Sequence, residues 1–89
     1  MSYMKIYDPA LYKSHSDAIH YFIKLGHLDY YDFNVCSKEA ANRALGYLCI
    51  NNIPHSYHTV SAVGLCCVTI SWSEQDGDHA YCFWCEGEI

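Results

Sequence analysis

The sequence predicts an α+β domain in which two short helices pack on one face of a mainly antiparallel sheet of about four strands. Three observations carry this. Two segments of the first half repeat apolar residues at helical spacing, the segment from residue 55 onward reads as strands separated by glycine-containing turns, and 89 residues leave room for a single core.

Along the chain, "SYMKIYD" reads as a short leading strand or an extended arm, and Pro9 prevents a helix from running unbroken through Asp8. In "SDAIHYFIKLG" the apolar residues Ala18, Ile19, Phe22, Ile23 and Leu25 form one helical stripe. Ser16 is the expected N-cap, Asp17 lies in the first turn and Gly26 stands where the helix would stop. "HLDYYDFNVCS" is rich in aromatic and β-branched residues and alternates Leu28, Tyr30 and Asp32 against Asp29, Tyr31, Phe33 and Val35, the pattern of a strand. Ser37 then caps a second helix, "KEAANRALGYLCINN", with Ala41, Ala44, Leu45, Leu48 and Cys49 as its buried stripe. Asn51 and Asn52 tolerate the left-handed backbone that ends helices, and Pro54 forbids continuation. The remainder predicts a meander of "HSYHTVS", "GLCCVTISW" and "HAYCFWCEG", with Gly64 in the first turn and Asp76-Gly77 in the second.

All five cations (Lys5, Lys13, Lys24, Lys38, Arg43) lie in residues 1–43 and are balanced there by five acids, so the net charge of −5 resides in Glu74, Asp76, Asp78, Glu86 and Glu88. An acidic end of this kind repels nucleic-acid phosphates and suits a basic protein surface. Aromatic residues such as Tyr30, Tyr57, Tyr81 and Phe83 would suit base stacking, but a stacking platform needs cations to neutralise phosphates and the strand-rich half has none. Direct nucleic-acid binding is therefore not expected. No apolar stretch has the length of a membrane span and the N-terminus lacks the pattern of an export signal, which predicts a cytoplasmic protein with reduced thiols.

Six cysteines and six histidines raise the question of metal. His55-x-x-His58 and Cys82-x-x-Cys85 offer zinc-compatible ligands. Strand parity opposes them. Successive side chains on a strand point to opposite faces, so Ala80, Cys82 and Trp84 share one face while Tyr81, Phe83 and Cys85 share the other, and vicinal Cys66 and Cys67 are split in the same way. A thioredoxin-like role for Cys82 and Cys85 lacks the helix N-terminus that would depress a thiol pKa. No nucleophile elbow, phosphate-binding loop or dinucleotide fingerprint occurs, so neither a catalytic site nor a cofactor is expected.

Nine tyrosines, three phenylalanines and two tryptophans exceed what so small a core hides, and Tyr and Trp are the residues that anchor protein interfaces. "YDPALY", "LDYYDF" and "QDGDHAYCFW" each mix such rings with Asp. In size, acidity, tyrosine content and want of a catalytic motif, the chain is similar in general character to the small inhibitor proteins that phages direct against host nucleases and immune complexes, the anti-CRISPR proteins among them. That resemblance implies a non-enzymatic binder that blocks a host protein or nucleoprotein complex by occluding its surface. The expected contact residues are Glu74, Asp76 and Asp78 at the last hairpin turn, Glu86 and Glu88 at the tail, and Tyr30, Tyr31 and Trp84 as rings. The alternatives are a zinc-stapled interaction module using His55, His58, Cys82 and Cys85, and an adaptor that forms homodimers through its exposed aromatics.

Overall fold

The two amphipathic segments fold as helices because each has a serine that receives its free N-terminal amide. In the computed structural model, which describes residues 6–87, α1 spans His15–Leu25 and α2 spans Lys38–Ile50. Between and after them lie β1 (Val35–Cys36), β2 (His55–Ala62), β3 (Leu65–Glu74) and β4 (Gly77–Cys85). The sheet order is β1-β4-β3-β2, with β2, β3 and β4 antiparallel and β1 parallel to β4. This is the α+β arrangement expected from the sequence, with four strands and both helices on one face.

The α1 cap is Ser14, two residues before the expected Ser16. The Ser14 hydroxyl accepts from the Asp17 amide at 3.1 Å, and the amides of His15 and Ser16, the first two in the helix, donate to the Glu74 carboxylate at 3.2 and 3.0 Å. A side chain 58 residues away thus fixes the start of this helix. Ser37 caps α2 as expected, accepting from the Ala40 amide at 3.2 Å. The buried stripe of α2 is Ala40, Ala41, Ala44, Tyr47 and Leu48, so Tyr47 is interior where Cys49 was expected, and Cys49 is exposed.

The segment from His27 to Ser37 departs most from expectation. Only Val35 and Cys36 form a strand, while Asp29–Phe33 curl through turns and bends. Backbone bonds from Leu28 N to Val35 O (2.9 Å) and from Ser37 N to Gly26 O (2.8 Å) close this loop at its base. An extended strand would send Tyr30 and Tyr31 to opposite faces. In the loop their rings lie 4.8 Å apart and both hydroxyls reach Glu86. The expected leading strand or arm lies largely outside the described residues; Ile6 and Tyr7 are in a turn, followed by a 3-10 turn at Pro9–Leu11 capped by Asp8.

Both hairpins have two-residue loops. Ala62 faces Leu65, and Val63 and Gly64 between them both have positive φ (49° and 79°), the mirror-image turn that matches strand twist. Glycine suits its place there, whereas Val63 carries the steric cost of a β-branched residue in that region. In the second hairpin Glu74 faces Gly77, so the central residues are Gln75 and Asp76 rather than Asp76-Gly77, and Gly77 takes the positive φ of 127° just after them.

The core lies between the helices and one sheet face, where Cys66, Val68, Ile70, Trp72, Phe83 and Cys85 meet Ala18, Ile19, Phe22, Ala44, Tyr47 and Leu48. Tyr47 is fully buried, edge-on to Tyr12, with its hydroxyl 2.8 Å from His15 Nδ1. Burial pushes its pKa up to about 12, so the phenol remains neutral. Removing only the oxygen, Tyr47→Phe, is expected to lower unfolding stability by about 1 kcal/mol, read as a lower urea midpoint at unchanged m-value.

Candidate binding surface

Because both helices pack on one side, the opposite face of β2, β3 and β4 is uncovered. Register and period-two alternation put Ser56, His58 and Val60 of β2, Cys67, Thr69, Ser71 and Ser73 of β3, and Asp78, Ala80, Cys82 and Trp84 of β4 on it, and none of these is buried. The face carries no Lys or Arg. Parity divides the last strand as the sequence indicates, with Phe83 and Cys85 buried and Cys82 exposed.

At the C-terminal end of β4 several expected residues come together. Glu86 accepts from both Tyr30 and Tyr31 hydroxyls, the latter at 3.1 Å. Hydrogen bonding to this carboxylate pushes the Tyr30 pKa up to about 12. Phe33 rests edge-on against Trp84 with ring centroids 6.0 Å apart, and Tyr30, Phe33, Asp29, Asp32 and Glu86 are exposed. The loop and the strand end thus form a knob of four rings with the Glu86 carboxylate, and Asp29 and Asp32 are exposed in the same loop. Sequence reasoning missed Phe33, Asp29 and Asp32 as members of it. The signal was present in "LDYYDF", but reading that stretch as a strand dispersed the side chains over two faces. Glu88 lies outside the described residues.

At the other end of β4, the three acids of the hairpin differ in availability. Glu74 is occupied, as its side chain is only 10% exposed and accepts from His15 N, Ser16 N and Trp72 Nε1, the last at 2.8 Å. Its oxygens serve the helix start and the buried indole, which leaves less of Glu74 to meet a partner than the sequence led one to expect. Asp76 and Asp78 are exposed, with Asp76 bound to His79 Nε2 at 2.7 Å and Asp78 accepting from Ser73 Oγ at 3.0 Å. His79 also lies parallel to the Trp72 ring at 5.9 Å.

The hydrogen bond to Asp76 raises the His79 pKa above its ordinary value, and the same bond lowers that of Asp76. The contribution of His79 to stability is full below about pH 6.5 and is lost as pH rises through its elevated folded value. That of Asp76 is present above about pH 3.9 and is lost as pH falls through its depressed folded value. An NMR titration is expected to place the His79 midpoint above that of a free histidine in the native protein, and closer to it in Asp76→Asn.

The zinc set does not assemble. His55 turns to the helix side, with Nδ1 2.7 Å from Ile53 O and Nε2 3.6 Å from Cys49 Sγ, while His58, opposite Thr69, is on the open face. Cys82 is exposed and Cys85 buried. Cys36, Cys85 and Cys66 do occupy one row across β1, β4 and β3, all buried, and burial pushes Cys36 up to about 12. Among the described residues no group of three or more His, Cys, Asp and Glu side chains is arranged to hold a metal ion.

A groove of about 620 Å³ follows the edge of β4 where the two-residue β1 leaves it uncovered, lined by His20, Ile23, Lys24 and His27 on one side and Tyr81, Cys82, Phe83 and Trp84 on the other. Among the described residues no helix is long and apolar enough to cross a membrane. The chain matches no protein-family model, no curated protein and no solved structure.

Proposed function

We propose that the protein is a non-enzymatic binding protein that inhibits a host protein or nucleoprotein complex by covering a basic surface, in the manner of the small phage counter-defence proteins it is similar to in character. The observation that carries this reading is the knob at the end of β4, where Glu86 holds Tyr30 and Tyr31 and Phe33 rests on Trp84, with Asp29 and Asp32 exposed in the same loop. Its tyrosines are ordered before any partner arrives, so little side-chain entropy remains to be lost on contact. Its acids match lysines and arginines, and its rings supply the apolar area that anchors an interface. Asp76 and Asp78 extend the acidic character to the far end of the same strand.

Affinity purification from the native host supplies the partner, and binding by charge variants tests the reading. Asp76→Lys/Asp78→Lys is expected to weaken affinity about 10-fold or more, mainly through slower association at low salt. Unchanged affinity would remove the hairpin acids from the interface.

A homodimer is the second reading, favoured by one observation. β2 is an outer strand with no charged residue, and Tyr57 and Val60 stand exposed along it. Such an edge is suited to pairing with a second strand. Light scattering distinguishes the readings, since pairing gives a mass of two chains.

A further inference from the structure

The open sheet face holds one pair of reactive groups that the binding reading does not use. Cys67 on β3 faces Trp84, and Cys82 on β4 faces Thr69, so the two cysteines are diagonal neighbours on adjacent strands of the same face. Their sulfurs are 3.3 Å apart. Cys82 is exposed and Cys67 half-exposed, so a small oxidant reaches them from solvent, whereas Cys36, Cys66 and Cys85 are enclosed in the core.

We propose that Cys67 and Cys82 are a modification site for low-molecular-weight disulfides, forming a reversible disulfide that ties β3 to β4 across the open face. Bond formation requires the sulfurs to close from 3.3 Å to a covalent distance of about 2.05 Å. Cys82 is the more exposed of the two and is therefore the attacking sulfur, with Cys67 in contact to resolve the mixed disulfide. With glutathione disulfide, the Cys82 thiolate attacks one glutathione sulfur, forming a mixed disulfide and releasing the other as glutathione thiolate. Cys67 then loses its proton to solvent and attacks the Cys82 sulfur, releasing the second glutathione thiolate, which is protonated as the first is. The net change oxidises two protein thiols to one disulfide and reduces one glutathione disulfide to two glutathiones.

The site follows from register, not from the Cys-x-x-Cys spacing, whose second cysteine points into the core. The test is to treat the full-length, folded protein with glutathione disulfide, alkylate with N-ethylmaleimide and measure intact mass. Three thiols (Cys49, Cys67 and Cys82) are outside the core, so native alkylation is expected to fall from three sites to one as the Cys67–Cys82 bond forms. Since no Lys or Arg follows Arg43, the link is mapped after cleavage at Trp72, between the two cysteines. Cys67→Ser is expected to leave Cys82 as a stable glutathione adduct with no internal link. Glutathione adducts on wild-type Cys67 or Cys82 without the link, or a link to any other cysteine, would overturn the proposal.

Discussion

Replacing Glu74 with alanine is expected to destabilise the protein by about 3 kcal/mol, a large part of the total of roughly 4 to 13 kcal/mol that a chain of this length has. The carboxylate accepts from the first two amides of α1 and from the Trp72 indole. Trp72 is only 2% exposed, so an indole N–H stripped of its acceptor has little water to turn to, at a cost of about 1 to 3 kcal/mol. Loss of the negative charge at a helix N-terminus adds about 0.3 to 1 kcal/mol, and the hydrogen bonds to the two amides add more. Glu74→Gln retains one acceptor oxygen and the shape of the side chain, so an intermediate loss of about 1 to 2 kcal/mol is expected. Urea unfolding gives the magnitudes. Hydrogen exchange gives the location, with faster exchange at the His15 amide in both variants and at the Ser16 amide and the Trp72 indole, which share one carboxylate oxygen, in the alanine variant. A loss in Glu74→Ala below about 0.5 kcal/mol, the range of ordinary surface substitutions, would contradict this role.

Gly26→Ala is expected to cost about 3 kcal/mol for a different reason. Gly26 ends α1 at φ −94°, a conformation alanine adopts freely, so backbone strain is not involved. An added Cβ would lie 2.2 Å from the Ala40 Cβ and 3.0 Å from the Ser37 hydroxyl. Ala40 is fully buried on α2 and Ser37 is the cap of that helix, so accommodation requires the end of α1 and the start of α2 to separate. The entropy gained by removing a glycine from the unfolded chain, about 0.4 to 1 kcal/mol, is the smaller effect. Thermal unfolding should show a Tm lowered by 10 °C or more, roughly. Restoring space with the double change Gly26→Ala/Ala40→Gly is expected to recover part of the loss.

These two positions show what was legible in the sequence and what was not. Helical spacing identified both helices, and Gly26 was readable as a stop, because both depend on neighbours within a few residues. That Gly26 is also a contact point with Ala40 depends on how the helices cross. Glu74 reads as one more surface acid in an acidic turn, and nothing in "SWSEQDGD" reveals that it starts a helix near residue 15. Ser14 and Ser16 are equivalent as capping residue types, and Glu74 is what distinguishes them, since it receives the two amides that a Ser16 cap would leave outside the helix. Strand parity correctly separated Cys82 from Cys85, as it needs only local alternation. The pairing of Cys82 with Cys67 depends on inter-strand register. "LDYYDF" was misread because aromatic alternation also suits a strand, and the Glu86 carboxylate that gathers Tyr30 and Tyr31 lies 55 residues or more further on.

The central claim is that the knob at the end of β4 contacts a basic partner surface. The most direct measurement is the affinity of the purified partner for the wild-type protein, for Glu86→Lys and Trp84→Ala, and for Asn42→Lys, which adds charge at an exposed position of α2 on the helix side. Circular dichroism first establishes that each variant is folded. Weakening of about 10-fold or more in each knob variant, with affinity in Asn42→Lys within about 2-fold of wild type, is the predicted result. Equal affinity across all four proteins, or a loss confined to Asn42→Lys, would contradict it.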